Sequence, residues 1–320
     1  MKTPILFAAF TLAATAAYAA DATFDRSLSV GAAPTVSISN GSGYVHVSAG
    51  QGNQVHITGH VHAHPGWLRS SGDIDQRVKQ IAANPPITQT GDIVTINRHE
   101  SSDLFDNVSI DYDVILPHTA SLTARIGSGD LQIVGVDNLT SASSGSGSIH
   151  VDNAGANVHL SAGSGSIDAS HLGPHVEIRT GSGSIHALDV HGAATLETGS
   201  GSQELSLSAP GDVTSRSSSG GVRISGVSGA LRASAGSGTI EVTGNPTSDW
   251  RLQTGSGGVH LATDASAHFT LEADTGSGGV KVNRPVVMQG SLNRHHVSGT
   301  VNGGGPTVRV TTGSGSVTVR

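Results

Sequence analysis

Cysteine is absent from all 320 residues, so neither a disulfide framework nor a lipid on an N-terminal cysteine can hold or anchor the chain. Aromatic residues make up only 3%. Large side chains normally fill a wide globular core, so a chain this poor in rings must build a thin core from small ones. Beyond the N-terminus no run approaches the ~18 consecutive apolar residues of a membrane helix, which excludes an integral membrane segment of that kind. Basic side chains are also the minority: 17 Lys and Arg stand against 24 Asp and Glu, for a net charge of -7. That balance argues against nucleic acid as a partner.

The first nineteen residues read as a secretory signal. Lys2 precedes the apolar run from Ile5 to Ala17, and Ala17-Tyr18-Ala19 is a small-x-small cleavage site. Its removal takes away one lysine and no acid, and it places the mature chain in the periplasm or outside the cell.

Glycine is what the sequence has in excess, with 44 copies. Gly-Ser-Gly triplets begin at Gly127, Gly145, Gly163, Gly181 and Gly199, in steps of 18 residues, and recur at Gly236, Gly255, Gly276 and Gly313. Degenerate copies stand at Ser218-Ser219-Gly220 and Val297-Ser298-Gly299. A period of 18–21 residues is the mark of a solenoid in which each coil buries its apolar edge on the next. Alternating runs follow the triplets, such as Ile149-His150-Val151 and Ile185-His186-Ala187, and read as strands with one buried face. The glycines are expected to supply positive φ where the chain reverses. The fold expected is all-β: a single-stranded β-helix of about eleven coils over residues 121–320.

A phosphate loop does not fit, because a dinucleotide fingerprint needs glycine at its sixth position and a helix beyond it. Here the sixth position holds Gln132, His150, Asp168, His186, Glu204, Arg223, Glu241, His260 and Lys281 in sequence order. Stacked coils bring such residues about 4.8 Å apart, so they form a polar ladder that avoids like neighbours. A metal site at His150, Asp168 and His186 is the sharper alternative. Gln203 stands out in a column that is otherwise apolar; Leu205 and Leu207 are expected to carry the burial there through a bulge.

Residues 20–120 read as a separate β-rich region with one short helix at about 72–84. Ile74, Val78 and Ile81 have helical spacing, Ser71 and Asp73 suit its start, and Pro85-Pro86 ends it. "TQTGDIVTI" reads as a hairpin turning at Gly91-Asp92, and "VSIDYDVILP" as a strand leading into the first coil. His60, His62 and His64 in "HVHAHPGW" lie on one strand face and are candidate ligands for zinc, copper or nickel. Residues two apart on a strand are ~7 Å apart, so one ion needs a bend or further ligands. Asp111 and Asp113 also share a face, as acid/base carboxylates in a cleft would. No cofactor motif and no Gly-x-Ser-x-Gly elbow occurs.

The "YDVILP" strand followed by "SSGSGSIHVDNAGANVHLSAGSGSIDA" resembles the DUF4097 family of bacterial β-strand-repeat proteins, over roughly residues 35–320. The resemblance implies a β-solenoid in the bacterial envelope or outside it, adhesin-like in role, and carries over no catalytic residues. Three functions are thus in view. The first is a non-enzymatic structural or adhesive protein meeting an envelope glycan or protein; the second is a periplasmic metal- or glycan-binding module; the third is a carbohydrate-active enzyme. The closing "GSVTVR" is expected to form an open edge, covered by Arg320 and its polar neighbours or by a second copy associating end to end.

Overall fold

The computed structural model describes residues 21–64, 71–97, 103–155, 157–288 and 293–320; the expected secretory signal lies outside them. The strands assemble into two long sheets, a first of 14 strands and a second of 15, and most neighbours in both are parallel. One coil contributes one strand to each sheet. Ile149–Ala154 pairs with Ile167–Leu172 in the first sheet, with Ile149 opposite Ile167 and His150 opposite Asp168. The intervening Asn157–Ala162 lies in the second sheet and pairs with His175–Thr180, with Val158 opposite Val176. An 18-residue step therefore returns each side chain to its counterpart, and alternation sends every second one inward. Ile149, Val151, Val158 and Leu160 are buried in this way.

The core between the sheets is as thin as the composition requires. No Phe, Trp or Tyr occurs between Asp113 and Asp249. The rings stand instead toward the two ends: Phe24 and Tyr112 meet edge-on at 6.1 Å, and Trp250 and Phe269 are buried near the other. The apolar core of the middle coils is Ile, Val, Leu and Ala, while larger side chains fill the core where the stack closes.

The corners are built differently from the sequence expectation. Of the third-position glycines of the triplets, Gly129 has a positive φ (116°), whereas Gly147, Gly165 and Gly183 do not. Close approach is the constraint instead: a Cβ on Gly165 would lie 1.9 Å from the Gly147 carbonyl oxygen, and one on Gly183 2.0 Å from that of Gly165. At several corners a hydroxyl just before the triplet completes the turn. Thr180 Oγ1 accepts from the Gly183 N–H (3.2 Å) and donates to the Gly165 carbonyl of the coil below (2.9 Å). Thr198 and Thr254 repeat the arrangement. These buried hydroxyls satisfy backbone groups that the tight turn leaves without a strand partner.

Gln203 is buried after all, in register with Ile185 and Val222. Its carboxamide reaches across to the second sheet, donating to the Arg216 carbonyl (2.7 Å) and accepting from Ser215 Oγ (2.5 Å). Leu205 and Leu207 are buried beside it, and the register shift falls between Ala187 and Val190 of the neighbouring strand. Gln203→Leu leaves the Ser215 hydroxyl without its carboxamide partner and removes the side-chain donor to the Arg216 carbonyl, and costs about 1–3 kcal/mol. Adding Ser215→Ala recovers most of that loss in a urea titration. A single Gln203→Leu variant as stable as wild type would show that the pair contributes nothing.

The N-terminal strands join the same two sheets. Val45–Gly50 lies between Val108–Pro117 and Leu131–Val134, with Val45 opposite both Tyr112 and Leu131. Thr35–Ser42 lies between Ile93–Asn97 and Ser121–Ser128. The chain thus lays down a coil at 35–50, runs outward to form the coil at 93–117, and returns past it to begin the repeats. The helix Ser71–Ala83 packs against strands Asp21–Ser29 and Gln54–Ala63 through Ile74, Val78 and Ile81. The side chains of residues 71–73, including the expected cap, lie outside those described. The hairpin pairs Thr90 with Ile93 around Gly91, whose φ is 59°.

The other end is interleaved in the same manner, which corrects the expected edge. Thr307–Thr312 pairs with Trp250–Thr254 on one side and Phe269–Thr275 on the other. Val317–Val319 lies between Val259–Ala262 and Val280–Val282. The "GSVTVR" strand is therefore internal, and the Arg320 N–H donates to the Leu261 carbonyl at 2.9 Å. Thr318 stands between His260 and Lys281, two residues that sequence order alone made neighbours.

Candidate functional site

The outward face of the first sheet carries a continuous file of polar side chains along the stack. In register it runs Asp113, His46, Gln132, His150, Asp168, His186, Glu204, Arg223, Glu241, His260, Thr318 and Lys281. From His150 to His260 acids alternate with imidazoles or Arg223, and the neutral Gln132 and Thr318 separate the like neighbours at either end, so residues about 4.8 Å apart avoid repulsion. Arg223 binds Glu241 through Nε (3.0 Å) and an Nη (2.9 Å), and this hydrogen-bonded pairing raises its pKa further.

A groove of about 390 Å³ opens where the file crosses the middle coils. One wall is Gln132, His150, Asp168, His186 and Glu204; the other is Val134, Asp152, Ser170 and Leu188. Its shape follows from a repeated bulge. Asn153, His171 and Asp189 adopt left-handed conformations (φ 56°, 52° and 56°), and pairing resumes one residue later at Ala154, Leu172 and Val190. Asn and Asp tolerate that conformation better than most residues, and His is also enriched there.

Within the groove Asp168 stands between two imidazoles: His186 Nδ1 is 2.7 Å from one carboxylate oxygen and His150 Nδ1 3.4 Å from the other. The expected trio is thus together, arranged as a bridging carboxylate. On the other wall Asp152 accepts from Ser170 Oγ and from His171 Nδ1, both at 2.7 Å. Those two hydrogen bonds, Ser170 first, hold the Asp152 carboxyl below its usual range. The hydrogen bond to Asp152, and then its charge, raise the His171 pKa. Val134 and Leu188 add exposed apolar surface to this wall.

At the N-terminal end the same face holds a second His–Asp network. Asp113 accepts from the Tyr44 hydroxyl (3.1 Å) and lies 3.4 Å from His46 Nδ1 and 3.7 Å from His60 Nε2. Asp111 accepts from the Tyr44 N–H (2.9 Å) and lies 3.2 Å from His62 Nε2, whose Nδ1 meets Asp21 at 3.0 Å. The Tyr44 ring stacks on His46 with centroids 4.3 Å apart. Burial, and then the Asp113 charge, push the Tyr44 hydroxyl above its ordinary pKa.

His60, His62 and His64 are not gathered around one point. His60 turns to Asp113 and His62 to Asp111 and Asp21, while His64, past the strand end, has Nε2 2.8 Å from Ser109 Oγ. Among the described residues no three His, Asp or Glu side chains are grouped to hold a metal ion. The sequence placed Asp111 and Asp113 on one face, and they are; each is engaged by histidine and Tyr44. What it did not single out were the bulge residues Asn153, His171 and Asp189. Their spacing of 18 was visible, but nothing in residue type marks a stacked bulge.

Among the described residues the architecture is a mostly β stack of coils with one α-helix and two long sheets. Residues 174–320 match the family described as Toastrack DUF4097. No curated protein matches. Solved structures similar to this chain include a candidate cell adhesion protein from Clostridium sporogenes, at 11% identity and TM-score 0.21, covering 93% of this chain and 98% of that one. A candidate adhesin from Bacteroides fragilis is similar at 10% identity and TM-score 0.33, covering 93% and 97%. A candidate lipid-binding protein from Parabacteroides distasonis is similar at 10% and 0.33, covering 93% and 96%.

Proposed function

We propose that this is an exported, non-enzymatic, adhesin-like protein of the bacterial envelope, and that the file on its first sheet is the recognition surface. The observation that carries the reading is the unbroken register from Asp113 to Lys281. A rigid two-sheet stack presents hydrogen-bonding groups at one repeat distance, which suits an extended polymer better than a small molecule. The groove between His150–Asp168–His186 and Asp152–Ser170 lies on this file, at the middle coils. Its carboxylates and imidazoles are half exposed and spent on one another, an arrangement for contact rather than for proton transfer in a closed site. The hydrophobic N-terminal run supports export, and no helix among the described residues is long and apolar enough to cross a membrane.

The test is binding of residues 20–320 to purified cell-wall sacculi and to whole-envelope polysaccharide by co-sedimentation. Wild type is retained, and a His150→Ala/Asp168→Ala/His186→Ala variant with unchanged circular dichroism is released. Equal retention of that variant would remove the groove from the recognition surface, and glycan cleavage by wild type would overturn the non-enzymatic reading.

A further inference from the structure

The outward face of the second sheet breaks the rule that governs the first. Its central file runs Thr123, Ser141, His159, Glu177, Thr195, Thr214, Arg232, Arg251, Arg309 and Glu272. Three arginines therefore occupy adjacent rungs, each about 4.8 Å from the next, although like charges directly opposite one another destabilise a sheet. Several other charges on this face are matched: His159 with Glu177 (2.9 Å), and Arg179 and Arg216 with Glu197 (3.0 and 2.9 Å). Arg309 is held by Glu272 on its far side, through Nε at 2.8 Å. The Arg232 and Arg251 side chains make no hydrogen bond or ion pair among the described residues. The interleaved coil creates this run, because Arg309 would otherwise lie far from Arg251 in the stack.

The three arginines line a pocket of about 260 Å³ together with Asp249 and Thr307. Asp249 is turned to the backbone, its Oδ1 accepting the Thr307 N–H at 2.8 Å. Two residues further along each strand, on the same side, stand Ser234, Gln253 and Thr311. Every rung thus offers a guanidinium fork and a neutral hydrogen-bonding side chain. Two unmatched cations persist here in a chain whose net charge is -7.

We propose that this file is a binding site for an acidic polysaccharide, a polymer with carboxylates recurring along its length that runs parallel to the coil axis. Arginine pairs with carboxylate in two parallel hydrogen bonds, and the Ser, Gln and Thr beside it suit sugar hydroxyls. A lipid surface fits less well, because exposed large apolar side chains such as Ile115 and Leu188 stand on the first sheet, and Val287 is three strands beyond Arg309 on the second. Nucleic acid is opposed by the acidic balance of the whole chain. The site is on the other sheet from the groove and stands or falls without it.

Calorimetric titration of residues 20–320 with polygalacturonate gives salt-sensitive binding, whereas the fully methyl-esterified polymer, inorganic phosphate and phosphatidylglycerol vesicles bind far more weakly. Arg251→Gln and Arg232→Gln each weaken polygalacturonate binding by about tenfold, the scale of one charged hydrogen-bonded contact. Their thermal midpoints stay level or rise, because a repulsion is relieved. The His150→Ala/Asp168→Ala/His186→Ala variant binds polygalacturonate like wild type, which separates this site from the first-sheet groove. Unchanged affinity in Arg251→Gln overturns the proposal. So does equal binding of the ester or the vesicles, or phosphate binding as tight as the polymer, the mark of an unspecific anion site.

Discussion

Gly165→Ala destabilises the protein by about 3 kcal/mol or more, at the upper end of what overpacking costs. The added Cβ would meet the Gly147 carbonyl oxygen at 1.9 Å, its carbon at 2.5 Å and the Ser148 nitrogen at 3.0 Å. All three are backbone atoms, so no rotamer change relieves the contact. Separating the two corners would strain the ladder on both sides, and the same approach recurs one coil up, where Gly183 faces the Gly165 carbonyl. Gly221→Ala is the control: its nearest atom would be 3.6 Å away and its φ is not left-handed. It changes stability by no more than about 0.5 kcal/mol. Equilibrium denaturation of both variants checks the pair, and a Gly165→Ala protein as stable as wild type would refute the close-approach account of the corners.

Removing residues 303–320 opens two seams rather than shortening the stack by one coil. The strands at 307–312 and 317–319 are each paired on both sides, and Val308, Val310, Val317 and Val319 are fully buried. At about 1.5–3 kcal/mol for each buried valine, their loss approaches the ~5–15 kcal/mol that holds a typical domain together. It also leaves facing strand edges unpaired, a template for aggregation. Limited proteolysis should therefore cut the shortened chain between 263 and 302, where wild type resists. A synthetic peptide of residues 303–320 should restore resistance by filling the slot. A truncated protein with an unchanged melting profile would mean that the interleaved coil is not needed to close this end.

The repeat made the coils legible because an 18-residue step fixes register without further information. Alternation then told inward from outward residues in nearly every strand. The order of coils at the two ends was not legible, since spacing along the chain says nothing about which coil a later segment joins. Placing "GSVTVR" at an edge, and Lys281 beside His260, came from equating sequence order with spatial order. The triplet glycines were found by pattern, but the reason for them is distance between stacked backbones, which no single coil displays. The threonine before the triplet was equally visible, yet its purpose depends on a carbonyl one coil away. On the site, periodicity put Asp168 between His150 and His186. It could not say that histidine would spend its nitrogens on carboxylates, nor that the cations of the second sheet would gather.

Interleaving at both ends has an evolutionary corollary. Duplicating one 18-residue unit between Asn138 and Gly244 adds a rung to both sheets and leaves each terminal lock untouched. The reach of such a protein can therefore drift in steps of about 4.8 Å, by gain or loss of interior units. The closures at 35–117 and 250–320, whose partners are distant in sequence, resist duplication and must be inherited whole.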